Sequence, residues 1–203
     1  NEYAHCLISN YAAPPVAFDR GKGARIWDVE DNEYLDFSSG IAVTCLGHSH
    51  PKWVSAVQKQ LAKLVHCTNL FAIPEQARLA ERLTAKAGPG RMLFCNSGAE
   101  ANEALIKLAR LYGCSKAGGE EGKIVKIVTA EGDFHGRTYG AMSATSGSKI
   151  RSGFAPLAPG FAFANFNELA SFEALLDEDT AAVLIEPIQG EGGIRETDDE
   201  VLR

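Results

Sequence analysis

Three short segments hold the residues whose types and spacing could do chemistry. The first is Asn96-Ser97-Gly98-Ala99-Glu100-Ala101-Asn102-Glu103, which joins the apolar run Arg91–Cys95 to a stretch with helical spacing. Gly98 lets the backbone turn and approach a ligand closely. The first amides of a helix have no intrahelical acceptor and sit at the positive end of its dipole. Ser97 adds a hydroxyl, so a phosphate fits here. A plain helix cap with a turning glycine is the other reading of the same residues. The order G-x-x-x-x-G-K-[ST] is missing. Gly21-Lys22-Gly23 precedes a strand instead of joining a strand to a helix. Neither a Walker-bound nucleotide nor a Rossmann-bound dinucleotide is therefore indicated.

The second segment is Asp133-Phe134-His135-Gly136-Arg137-Thr138. Phe134 could cover a flat ring, His135 could hydrogen-bond it, and Arg137 could take a carboxylate in a bidentate fork. Taken alone, the segment also reads as a turn with one core aromatic and one solvated arginine. The third segment, Ile185-Glu186-Pro187-Ile188-Gln189-Gly190-Glu191-Gly192-Gly193, carries two carboxylates and three glycines. Carboxylates at a strand end can position an arginine or an amine, and a flexible acidic turn is the alternative. All three segments follow expected strands, and ligands of open α/β sheets bind outside the carboxyl ends of the strands. Their convergence on one edge favours a site over three separate turns. His48-Ser49-His50 invites a metal reading, but no further ligand stands at matching spacing and Pro51 opens a helix directly behind it, so no metal site is expected.

The elements that must position these residues follow from periodicity. Residues 1–23 read as irregular. Ala24–Val29 and Tyr34–Phe37 alternate around Asp31-Asn32 and predict a β-hairpin. A helix opens at Pro51, with Trp53, Val54, Val57, Leu61, Leu64 and Val65 at helical spacing. Another opens near Pro74, carries Ala77, Ala80, Leu83 and Ala87, and stops at Gly88-Pro89. Then strand and helix alternate. Arg91–Cys95 is a strand, followed by a helix with Ala101, Ala104, Leu105, Leu108 and Leu111-Tyr112, closed by Gly113. Ile124–Val128 is a strand, followed by the loop Glu131–Arg137 and a small-residue segment, 140–146. Residues 147–167 read mostly as loop with room for short strands. A helix over 168–177 and a strand Ala181–Ile185 complete the series. Thr197-Asp198-Asp199-Glu200 has the capping-box pattern that starts a helix, and only Val201, Leu202 and Arg203 follow it. The expectation is that these residues are the front part of a longer protein. The class is α/β, a largely parallel sheet covered on both faces.

Composition narrows the functions. Of 203 residues, 45% are hydrophobic and 23% charged, with a net charge of −6. These are ordinary globular values that argue against disorder, collagen and coiled coil. No apolar run approaches the roughly 18 residues that span a bilayer, and no charged-then-apolar leader is visible. Lysines and arginines, ten of each, are spread without a run that would track a phosphate backbone, so nucleic acid is not the expected partner. Five cysteines without a C-x-x-C pair suggest free thiols in a reducing cytoplasm.

Together the segments resemble the class III pyridoxal-phosphate-dependent aminotransferases, most closely their acetylornithine aminotransferase branch. The resemblance is carried by Gly40-Ile41-Ala42-Val43, Leu46-Gly47-His48-Ser49-His50-Pro51 and Thr68-Asn69-Leu70-Phe71. Asn96 to Glu103 with Lys107-Leu108-Ala109-Arg110, Phe134 to Thr138, and Glu186 to Gly193 complete it. It runs along essentially the whole chain in family order. It implies an incomplete fold-type-I large domain, residues 48–203, preceded by an N-terminal segment with a β-hairpin, residues 1–47. It further implies pyridoxal 5'-phosphate as cofactor, with Ser97, Gly98 and Ala99 as the phosphate cradle. Phe134 would stack on the pyridine ring, with His135 as its polar neighbour and Glu186 as a supporting group. Arg137, Tyr11 and Glu191 would serve the substrate. The implied reaction moves an amino group from N-acetylornithine or a similar ω-amine to 2-oxoglutarate in a cytoplasmic homodimer. 4-Aminobutyrate or succinylornithine aminotransferase is the runner-up, and a non-catalytic phosphate- or cofactor-binding fragment is the alternative of another class. The family's Schiff-base lysine and the aspartate at the pyridine nitrogen lie beyond Arg203, and none of the ten lysines is a plausible substitute. The 203 residues alone are therefore expected to be inactive.

Overall fold

The computed structural model describes residues 5–203. The chain forms two compact units, one ending at Leu79 and one opening at Ala80. Tyr11 belongs to the first unit and the other candidate site residues to the second.

In the first unit, β1 (Phe18–Lys22), β2 (Arg25–Asp28) and β3 (Glu33–Leu35) form an antiparallel sheet in that order. The expected hairpin is β2–β3, with Ile26 opposite Tyr34 and Trp27 opposite Glu33. Asp28 closes its turn, accepting from the Asn32 amide and side chain, the Glu30 amide and the Tyr34 hydroxyl at 2.9–3.0 Å. Strand β1 falls in the stretch read as irregular. Its polar residues show no alternation, and backbone pairing to β2 makes it a strand.

Beyond β3, Ser39, Gly40, Ile41 and Ala42 form a left-handed turn, with φ of 50°, 63°, 59° and 60°. Asp36 anchors it, accepting from the amides of Ser38 and Ser39, the Ser38 hydroxyl and His48 Nε2. The His48 bond above all holds the Asp36 carboxyl down at about 2. Helix α1 (Pro51–Leu61) begins where expected but ends before Leu64 and Val65. Helix α2 (Pro74–Ala87) matches its expected span.

The second unit is built on three parallel strands in the order β5–β4–β6: β4 (Lys126–Ala130), β5 (Phe161–Ala164) and β6 (Thr180–Val183). Between and around them run α3 (Gly98–Lys116), α4 (Tyr139–Ala144), α5 (Ser148–Arg151) and α6 (Leu169–Leu175). A short ribbon, β7 (Ile188–Gln189) with β8 (Arg195–Glu196), and α7 (Asp199–Leu202) close the chain. Alternation along central β4 serves both faces. Val128 and Ala130 pack with Ala164 and Phe172, whereas Ile127 packs with Ile106 and Ala144. A strand buried on both sides is the mark of a helix-covered parallel sheet, and the α/β class stands.

Several local expectations are corrected. Arg91–Cys95 is not a strand. An apolar run becomes one only where a neighbour offers donors and acceptors, and among the described residues nothing pairs with it. Pairing on β4 starts at Lys126 opposite Thr180, two residues later than the apolar run suggests. Gly113 does not stop α3 but lies buried inside it, where a Cβ would fall 2.0 Å from the Ile124 carbonyl oxygen. Residues 147–167 hold β5, within the room left for short strands, and also the short helix α5, which is not among the expected elements. Thr197 does not cap α7. Its hydroxyl donates to the Glu186 carbonyl at 2.7 Å, and Asp198 takes the cap position without a side-chain bond. No helix among the described residues is long and apolar enough to cross a membrane.

Candidate functional site

Helix α3 opens as the sequence suggests. Ser97 is extended at the cap position and its hydroxyl oxygen accepts from the Glu100 amide at 3.2 Å. Glu100 reaches back to the Asn96 amide at 2.6 Å and the Asn96 side chain at 3.2 Å. Those bonds, the Asn96 side chain first, hold the Glu100 carboxyl below its ordinary value. With the Glu100 amide capped, those of Gly98 and Ala99 are first-turn donors to which the helix offers no internal acceptor. Where a Cβ of Gly98 would stand there is open space beyond its own helix and its chain neighbours.

The loop after β4 lies against this helix start. A Cβ on Gly136, whose φ is +130°, would stand 2.8 Å from the Cβ of Ala99. Side chains from three other places hold the loop's backbone. Glu186 Oε2 accepts from the Phe134 amide at 2.8 Å. Thr145 Oγ1 accepts from the His135 amide at 3.0 Å, and Asn102 donates to the His135 carbonyl at 2.6 Å. Glu103 then takes over the next helix start, one oxygen accepting from Thr138 Oγ1 at 2.6 Å and from the amides of Gly140 and Ala141 at 2.9 and 3.0 Å. Burial pushes the Glu103 carboxyl up, and these three donors together with the Lys107 charge outweigh it to hold the group below its usual value. The small-residue segment becomes α4 because a distant carboxylate caps it.

The three candidate segments therefore meet. Phe134, Arg137 and Glu191 line one cleft of about 520 Å³ with Asp133, Thr145 and Lys149. Lys149 is a cation that no motif announces. Ser97, Gly98 and Ala99 do not line this cleft, and of the three it is Ala99 that meets the loop, at Gly136. Glu186 is occupied with bracing the Phe134 amide, and His135 is buried at 4% exposure with Nε2 lacking a hydrogen bond. Tyr11 is exposed in the first unit. A larger cavity of about 750 Å³ lies elsewhere, along the apolar side of α3 at Leu108 and Leu111. Its surface is mostly apolar, although Lys107, Arg110 and Glu121 border it, and none of the three candidate segments reaches it. Among the described residues no three His, Cys, Asp or Glu side chains could hold a metal, and His48 bonds Asp36 at 2.7 Å instead.

The arrangement suits a phosphorylated planar ring: free amides and a hydroxyl at a helix start, and a half-buried aromatic on a braced loop beside it. A class-III aminotransferase family model matches residues 8–203. The acetylornithine aminotransferase of Halalkalibacterium halodurans is 49% identical over 96% of the chain and 48% of its own length. That of Caldanaerobacter subterraneus is 45% identical over 97% of the chain and 49% of its own length. Among solved structures, ornithine aminotransferase from Toxoplasma gondii superposes with a TM-score of 0.88 at 32% identity, covering 98% of the chain and 47% of the neighbour. Another structure of that enzyme is described with partial occupancy of PLP at the active site. N-acetylornithine aminotransferase from Stenotrophomonas maltophilia has a TM-score of 0.76 at 36% identity, covering 96% and 47%. The chain spans about half the length of the curated relatives it matches.

Proposed function

Because the chain belongs to the class-III aminotransferase family, we propose that its second unit holds pyridoxal phosphate between the α3 start and the loops after β4 and β6. Ser97 and the amides of Gly98 and Ala99 take the phosphate, Phe134 covers the ring and His135 lies beside it. Glu186 acts by holding the Phe134 amide. The observation that carries this reading is the contact of Gly136 with Ala99, which joins a phosphate-competent helix start to an aromatic loop. Bound pyridoxal phosphate supplies an electron sink for the carbon that gives up its amino group.

Arg137, Glu191 and Tyr11 serve the substrate in this proposal. Arg137 offers a fork for a carboxylate, and Glu191, on the same cleft, offers a charge for a cation. The parent reaction moves an amino group from N-acetylornithine or a similar ω-amine to 2-oxoglutarate, in a cytoplasmic homodimer. Relatives named acetylornithine aminotransferase at 43–49% identity favour that amine over 4-aminobutyrate or succinylornithine. Residues 1–47 form the leading segment and 48–203 the cofactor-binding part. No lysine of these 203 residues is proposed for the Schiff base, so the reading offered for the chain alone is binding of the cofactor without turnover.

Equilibrium dialysis with pyridoxal phosphate, inorganic phosphate and pyridoxal tests the reading. Phosphate should compete with pyridoxal phosphate, and Phe134→Leu should weaken the latter while leaving phosphate binding unchanged. Equal loss of both in a folded variant, or binding of pyridoxal as tightly as its phosphate, would contradict it.

A further inference from the structure

Gln189, on β7, is fully buried, and both ends of its amide are committed. Its Oε1 accepts from Arg195 Nε at 3.3 Å and Nη2 at 3.0 Å. Its Nε2 donates to Asp133 Oδ1 at 2.8 Å and to the Glu131 carbonyl at 3.0 Å. A guanidinium has only donors and a carboxylate only acceptors, so one orientation of the amide satisfies both. The backbone makes room for it. A Cβ at Gly132 would stand 2.9 Å from Gln189 Oε1, and one at Gly192 2.5 Å. Asp133, 2% exposed, also accepts from the Ala130 amide through Oδ2 at 3.3 Å. That same Oδ2 lies 3.5 Å from His135 Nε2, the buried nitrogen without a hydrogen bond.

We propose that Gln189 is a positioning residue that acts through Asp133 to set the tautomer of His135. Held by Gln189, the Asp133 carboxylate cannot turn away from Nε2. A neutral imidazole then places its proton on Nε2, since a lone pair there would face a carboxylate oxygen in a buried setting. Nδ1 is left as the acceptor nitrogen. The use of that acceptor rests on the proposed cofactor site, whereas the geometry does not.

The test is the two-bond ¹H–¹⁵N spectrum of the imidazoles in the labelled 203-residue chain, with His135 assigned by His135→Gln. Wild type should show His135 as the Nε2–H form. Gln189→Leu and Gln189→Glu should shift it toward Nδ1–H and weaken pyridoxal phosphate about tenfold. Arg195→Ala, which spares the bond to Asp133, should shift it less. If Gln189→Leu does not fold, Gln189→Glu, of nearly equal volume, carries the comparison. A wild-type His135 protonated on Nδ1 overturns the proposal without any variant, as does a tautomer unchanged in folded Gln189 variants. A Gln189-dependent Nε2–H form in a chain that binds no pyridoxal phosphate supports the positioning and overturns the cofactor reading instead.

Discussion

Gly136 and Ala99 approach more closely than any side chain at 136 permits: a Cβ there would stand 2.8 Å from the Ala99 Cβ and 3.1 Å from its Cα. The loop that carries Phe134 is thereby pressed onto the first turn of α3. Gly136→Ala adds a methyl into that contact and strains a φ of +130°. The expected loss is about 2 kcal/mol or more, read as a lower urea midpoint by circular dichroism, with weaker pyridoxal phosphate binding.

Two other glycines should behave oppositely. Gly113→Ala gains about 1 kcal/mol of helix propensity, but its methyl would fall 2.0 Å from the Ile124 carbonyl oxygen. A backbone atom cannot rotate aside, so the clash wins and the variant loses about 2 kcal/mol or more. Gly98→Ala meets open space at a helix start and should keep wild-type stability. Urea titrations of the pair decide this.

Glu103 caps α4 from another helix, so Glu103→Ala should cost about 1 kcal/mol, as a lost cap does. Its carboxyl is held below the ordinary value in the folded chain. That stabilisation is fully present above the unfolded value and is lost as pH falls through the folded one. The stability gap between Glu103→Gln and wild type should narrow on acidification, followed by hydrogen exchange at the α4 amides.

Asp36 gives the first unit its own acid sensitivity. With a folded value of about 2 against an ordinary 3.8, its contribution is complete above the unfolded value and disappears as pH falls from there toward 2. Both tryptophans, Trp27 and Trp53, lie in this unit, so their fluorescence reports it separately. Asp36→Asn should flatten the pH dependence of the tryptophan-detected urea midpoint across that window. An unchanged slope would remove the Asp36–His48 pair from the account.

What could be read from the residues alone depended on how local the cause was. The hairpin around Asp31-Asn32 shows in its own alternation, and Ser97-Gly98 announces a helix start within a few residues. Strand β1 could not be seen, because Arg20, Gly21 and Lys22 are polar or bare and owe their conformation to β2. Arg91–Cys95 shows the reverse, a strand-like run that nothing pairs with among the described residues. At the site, Phe134, Arg137 and Glu191 stand in recognisable segments. The side chains that hold them do not, since the Glu103–Gly140 and Gln189–Asp133 bonds span 37 and 56 residues. Gly192, one of the three glycines of the third segment, makes room in the fold for Gln189.

The central claim is that a phosphate-binding helix start and an aromatic loop form one cofactor site. Its most direct measurement is the set of backbone amide shifts in the labelled chain on adding inorganic phosphate, then pyridoxal phosphate. The account predicts that phosphate moves Gly98 and Ala99 alone, and that pyridoxal phosphate moves these together with Phe134, His135 and Arg137. Shifts at Leu108 and Leu111 on the apolar side of α3, with Gly98 and Ala99 unmoved, would contradict it.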